Sequence, residues 1–194
     1  MGTYIKGVQL LDEYDPGNTA VIFVSPCKEE QRADLLADVE SLSSTLKEHI
    51  LPWAAHEAQK RNTTWQISPQ TSTITGGSLG GYAAAGLVLK HPELALNAVI
   101  QSAAFWWPDR EYALLNEWVE QSKSPDSHKR VIFHEYGKYD VHLFHENQAY
   151  GELLKIIPNI TCSTRVYNGG HDYLSWRQGI AEGHRWIVNQ RKQF

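Results

Sequence analysis

Cysteine is nearly missing from this chain: Cys27 and Cys162 are the only two in 194 residues, and no C-x-x-C occurs. That scarcity excludes a disulfide framework and a zinc site built on paired thiolates. No apolar run approaches the ~20 residues that a membrane helix needs, and no N-terminal stretch has the layout of a signal peptide. A cytoplasmic location without a membrane partner is therefore expected. There is no basic tract either, and 18 Lys and Arg against 22 Asp and Glu give a net charge of −4. Nucleic acid is thus excluded as an electrostatic partner. Charged residues, at 21%, are too few beside 42% hydrophobic ones for a disordered chain.

What the sequence has in quantity is aromatic surface, with seven Trp and nine Tyr against one Met. That load suits a binding cleft better than a coiled scaffold. The length is that of one domain over residues 1–194, since ~100–200 residues per domain is usual. Short apolar runs alternate with helical spacing, the pattern of a three-layer α/β sandwich on a mostly parallel sheet. Thr19–Val24 reads as a buried strand after the turn signal Pro16-Gly-Asn18. Apolar residues at helical spacing from Arg32 to about Ala58 predict a helix that Pro52 should end or kink. Further strands are expected at Thr71–Thr75, Leu96–Gln101, Arg130–His134 and Thr161–Tyr167. The remaining helices are expected at Tyr82–Leu89, Tyr112–Gln121, Phe144–Ile156 and Leu174–Gln190.

One turn carries chemistry. Gly76-Gly-Ser78-Leu-Gly80 fits G-x-S-x-G between a predicted strand and a predicted helix, the context that a nucleophile elbow requires. A serine on so sharp a turn needs neighbours without Cβ atoms if its hydroxyl is to stand clear. The turn also puts the amide of Leu79 at a helix N-terminus, where unpaired N–H groups and the helix dipole favour an oxyanion. The plain alternative is a glycine-rich turn with no chemistry.

A serine needs a base, and chain order sorts the nine histidines. His171, in Asn168-Gly-Gly-His-Asp172, follows the last predicted strand, where the hydrolase order of nucleophile, acid, histidine places it. His142 and His145 share a helix face but offer too few ligands for a metal and read as surface residues. The acid belongs after the strand at Arg130–His134, where Glu135, Asp140 and Glu146 compete. Asp140 is the first choice, with Glu135 second. Asp172, adjacent to His171, reads as a loop-stabilising residue.

Three blocks now resemble a known family: Thr75-Gly-Gly-Ser-Leu-Gly-Gly-Tyr82, Gln101-Ser-Ala-Ala-Phe-Trp-Trp-Pro-Asp-Arg110 and Gly169-Gly-His-Asp-Tyr-Leu-Ser-Trp-Arg177. They are similar to the esterase D family and, within it, to the enterochelin (ferric enterobactin) esterase branch. The likeness runs from about Thr19 to Trp186, and Asn147-Gln-Ala149 matches the start of the helix after the family's acid loop. The resemblance implies an α/β-hydrolase fold and serine hydrolysis of a small-molecule ester, without metal or cofactor. In its enterochelin branch the substrate is the trilactone of a catecholate siderophore. It gives Ser78 as nucleophile, His171 as base, Asp140 as acid and Leu79 as one oxyanion donor. Phe105, Trp106 and Trp107 match an aromatic block, and Trp176 and Arg177 a pair after the histidine. Read alone, the three aromatics either stack on planar rings of a ligand or pack their loop onto the sheet. Arg110 and Arg177 either attract an anionic ligand or form surface ion pairs.

Relative to the family, the front of the chain is short. Leu10-Leu-Asp12 resembles the loop that gives the second oxyanion amide, but Glu13 stands where the family has glycine. The loop Ser25-Pro26-Cys27 is the remaining candidate for that donor. Three readings follow: an active esterase of a siderophore lactone or aryl ester; a serine hydrolase of thioesters or peptides; or a catalytically poor relative that binds a ligand or partner. In each, an apolar edge left by missing strands would favour pairing of two copies.

Overall fold

The computed structural model describes residues 19–25, 29–60, 67–106, 116–117, 120 and 128–192. Its centre is a four-stranded sheet of β1 (Thr73–Gly77), β2 (Asn97–Gln101), β3 (Arg130–Gly137) and β4 (Ile160–Tyr167), in that spatial order. Every neighbouring pair is parallel, with Thr73 opposite Asn97, Asn97 opposite Val131 and Arg130 opposite Ile160. A parallel strand must be covered on both faces. Accordingly β2 and β3 are buried along their whole length.

Side-chain alternation divides the core. Ala98, Ile100 and Ile132 join one apolar cluster with residues of α2 (Val39–Thr45), α4 (Leu79–Lys90) and α5 (Phe144–Ile156). Val99, Val131 and Phe133 point the other way and pack on Trp186 and Ile187 of α6 (Tyr173–Arg191). A period of two in the strands thus builds three layers: helices, sheet, helix. Arg130 locks one layer to the next. It is buried, and its guanidinium donates to Val88 O and Leu89 O near the C-terminus of α4, where a cation offsets the helix dipole.

The helical stretch at 29–60 departs from expectation. A short 3₁₀ turn (Glu29–Gln31) leads into α1 (Arg32–Ala37), and α2 follows, with Asp38 capping it through Ser41 N–H at 3.0 Å. Pro52 neither ends nor interrupts the chain's helicity, because a π-helical turn (Leu46–Ile50) runs straight into α3 (Leu51–Lys60). The wider turn sits where the proline ring would crowd the carbonyl four residues back. The segment Thr19–Val24 is also corrected: it forms no strand, and Val21, Phe23 and Val24 are exposed. Apolar sequence supplies strand propensity but not a partner ladder, and none of the four described strands pairs with it. The helix expected at Tyr112–Gln121 lies mostly outside the described residues. No helix among the described residues is long and apolar enough to cross a membrane.

Candidate active site

The glycine-rich turn is tighter than the sequence suggests. β1 runs through Gly77 and α4 begins at Leu79, so Ser78 alone makes the corner, with φ 58° and ψ −125°. Positive φ is costly for a residue with a Cβ, of order 1–3 kcal/mol. Here the surroundings enforce it. Ser78 N–H donates to Gln101 O at 3.0 Å, and Ser78 O accepts from Tyr82 N–H at 3.1 Å and Ala104 N–H at 3.0 Å. The backbone of Gly80 passes where a Cβ on Gly76 would sit. Leu79 is the first residue of α4, and a helix's first N–H groups lack intrahelical acceptors.

At the ends of β3 and β4, two loops meet. Tyr139 N–H donates to Gly169 O at 2.9 Å, and Lys138 N–H to Tyr167 O at 2.9 Å. The approach is so close that a Cβ on Gly137 would collide with the backbone of Gly169. This contact brings His171 to Asp140: Nδ1 lies 2.7 Å from Oδ2, with the histidine side chain 38% exposed and the aspartate 5%. A carboxylate only accepts, so Nδ1 carries the hydrogen and leaves Nε2 as the acceptor nitrogen. Asp140 is itself held by Leu143 N–H and Phe144 N–H on its carbonyl, at 3.0 and 2.8 Å. Asp172 caps α6 through Ser175 N–H at 2.9 Å, as expected of a loop-stabilising residue.

Glu135 is differently employed. It is fully buried on the α6 face, accepts from Gln101 Nε2 at 2.6 Å and pairs with Arg165, which also reaches Glu182. Burial pushes its carboxyl upward, while Gln101 and Arg165 oppose that shift. Its partners are therefore structural, and none is a histidine. Glu146 lies in the first turn of α5.

The aromatic candidates separate by exposure. Phe105 is buried, its ring 4.5 Å from that of Tyr150, whereas Trp106 is 47% exposed. Trp107 and Arg110 lie outside the described residues, as do Pro26 and Cys27 of the loop considered for a second oxyanion donor. Trp176 is buried; its ring stands edge-on to His171 at 4.7 Å, and a Cβ on Gly77 would come within 2.9 Å of it. One indole thus spans the strand end before Ser78 and the imidazole. Its Nε1 donates to Tyr167 Oη at 3.1 Å, and Tyr167 in turn donates to Gly170 O at 3.0 Å. Arg177 follows on α6, partly buried.

Sequence reasoning missed the apolar rim around the dyad. Tyr139 and Val141 flank Asp140, Tyr173 and Leu174 follow His171, and all four are more than half exposed. The signal was present, as large apolar residues set beside the proposed acid and just after the proposed base. Trp106 and these four residues gather at the carboxyl ends of successive parallel strands, where ligands of open α/β sheets bind.

Comparison with known proteins identifies the family and the fold. The family model described as "Putative esterase" matches residues 12–187. The iron(III) enterobactin esterase of Dickeya dadantii (strain 3937) is 28% identical over 179 residues, covering 86% of this chain and 40% of the relative. The iron(III) salmochelin esterase of Escherichia coli O6:H1 is 26% identical over 173 residues, covering 84% and 41%. The chain therefore spans about two-fifths of the length of these relatives. Among solved structures, the enterobactin esterase of Shigella flexneri with 2,3-dihydroxy-N-benzoyl-serine superposes with a TM-score of 0.68 at 25% identity, covering 84% of this chain and 42% of that one. The S-formylglutathione hydrolase of Staphylococcus aureus shares the fold, with a TM-score of 0.57 at 22% identity and coverage of 77% and 63%. This is the α/β-hydrolase-like architecture that the family resemblance implied, built on the parallel sheet that the alternating sequence implied.

Proposed function

The chain belongs to the esterase family, whose model spans residues 12–187, and on that footing we propose that it is a serine hydrolase of carboxylic esters working through an acyl-enzyme. One observation carries the reading: His171 Nδ1 is hydrogen-bonded at 2.7 Å to Asp140, on loops joined through Trp176 to the strained corner that presents Ser78.

In this reading Ser78 Oγ attacks the ester carbonyl while Nε2 of His171 takes its proton. The carbonyl oxygen gains the negative charge, and Leu79 N–H at the start of α4 receives it. Asp140 keeps His171 in the tautomer with Nδ1–H and stabilises the imidazolium. Collapse expels the alcohol, which takes the proton from Nε2. Water, activated by the same nitrogen, then releases the acid and restores Ser78. No step calls for a cofactor.

Substrate choice follows from the rim and from the relatives. Trp106, Tyr139 and Tyr173 expose aromatic surface past the carboxyl ends of β2, β3 and β4, suited to an aryl ester or to the lactone of a catecholate siderophore. The test is hydrolysis of a short-chain nitrophenyl ester and of a catecholate trilactone by wild type and by Ser78→Ala. The reading expects turnover of at least one ester to fall by ~10⁴ or more in the variant. Turnover unchanged in Ser78→Ala would overturn it, and no serine-dependent turnover at all would leave a hydrolase fold used for binding.

A further inference from the structure

Asn147, in the first turn of α5, is fully buried, and each polar atom of its amide has partners. Oδ1 accepts from Ala103 N–H at 2.9 Å; Nδ2 donates to Ala103 O at 2.9 Å and to Leu143 O at 2.7 Å. These contacts fix which way the amide faces. His134 Nε2, 3.0 Å from Oδ1, must then carry its hydrogen and donate. Burial keeps His134 neutral, its pKa pushed down to about 4.

The residues gripped are those that hold the site. Ala104, next to Ala103, donates its N–H to Ser78 O. Ala103 is wedged against α4, so close that a Cβ on Gly81 would come within 3.0 Å of its Cα. On the far side, Leu143 N–H and Phe144 N–H hold the Asp140 carbonyl. A single side chain therefore links the backbone that braces the serine corner to the backbone that carries the acid. Only a planar amide does this, because it accepts once from the Ala103 peptide and donates once to it, as a neighbouring strand would.

Resting on the reading of Ser78, His171 and Asp140 given above, we infer that Asn147 is a positioning residue that sets the separation of the nucleophile corner from the acid loop, with His134 Nε2 donating to its Oδ1. A merely structural asparagine would lower stability when replaced but leave the folded enzyme's chemistry alone. A positioning residue changes turnover more than substrate affinity, since a displacement near 1 Å can cost ~10²-fold.

The experiment uses Asn147→Asp in the full chain. This change keeps the shape and the acceptor but removes both donations to carbonyls. We expect kcat on a nitrophenyl ester to fall 10- to 100-fold, with KM changed less than about 3-fold. The low-field proton resonance of His171 Nδ1–H should shift or broaden as the Asp140 contact loosens. If Asn147→Asp does not fold, His134→Phe, which removes only the Nε2 donation, should change both readouts in the same direction by a smaller factor. A folded variant with wild-type kcat and an unmoved resonance would overturn the inference while leaving Ser78 as nucleophile untouched. Wild type without Ser78-dependent turnover would instead overturn the functional reading, and the resonance would still report on the clamp.

Discussion

Of the three carboxylates that compete for one histidine in the sequence, Asp140 and Glu135 are both buried, and at the level of single residues their surroundings separate them. Asp140 meets His171 at 2.7 Å, while Glu135 is spent on Gln101 and Arg165. Asp140→Asn should lower kcat by ~10³–10⁴, because an amide no longer holds the imidazole in the tautomer with Nδ1–H. Glu135→Gln should leave kcat within a few-fold of wild type but cost about 2 kcal/mol of stability, with Arg165 retaining only Glu182. Ester kinetics and denaturant melts of the two variants separate these outcomes. The sharp corner at Ser78 and the loop that carries His171 were legible in the sequence because glycines announce turns. The choice between Asp140 and Glu135 was less so, since a strand residue and a loop residue five positions apart differ only in which way the backbone carries them. Phe105 shows the same limit: an aromatic in a loop motif reads as a stacking face, and only packing reveals that its ring lies against Tyr150.

Among the elements, α6 does most to join sheet and site. It starts two residues after His171, is capped by Asp172, and comes close enough to the sheet that glycine is required where it passes Glu135. A Cβ on Gly179 would overlap the Glu135 carboxylate and lie 2.6 Å from Gln101 Nε2. Gly179→Ala should therefore cost about 3 kcal/mol, read as a lowered denaturation midpoint with the slope unchanged. Nothing in the helical periodicity of Tyr173–Arg191 singles this glycine out, since its necessity lies in a carboxylate 44 residues away in sequence. Strands β2 to β4 and helices α5 and α6 were legible because each is apolar at its own period and bounded by turn signals. Thr19–Val24 was not, because a run of apolar residues specifies burial or pairing only when the fold provides a partner.

For the whole molecule, the central group is a histidine that never meets solvent. His134 has its folded-state pKa pushed down to about 4 by burial, below the ordinary value of 6.5. The sign follows from linkage: between pH 6.5 and 4 the unfolded chain binds this proton and the folded one does not, so stability falls as pH falls. The loss should approach about 3 kcal/mol across that window. Thermal melts from pH 7 to 4 check it, and His134→Phe should flatten the slope by close to one proton. The architecture itself was open to sequence reading, since alternation of short apolar runs with amphipathic helices leaves few arrangements besides a covered parallel sheet. What could not be read was how the three layers register against one another, which depends on Arg130, Asn147 and Glu135, polar residues whose burial no local pattern foretells.

The indole of Trp176 has one more consequence. It is excluded from water, edge-on to His171 and hydrogen-bonded to Tyr167, an arrangement in which a charged imidazolium quenches emission that a neutral imidazole spares. The difference in fluorescence between wild type and Trp176→Phe would isolate this one chromophore from the other six tryptophans. Under the mechanism proposed above, this indole would report the protonation of His171 during turnover, readable in stopped flow without any label.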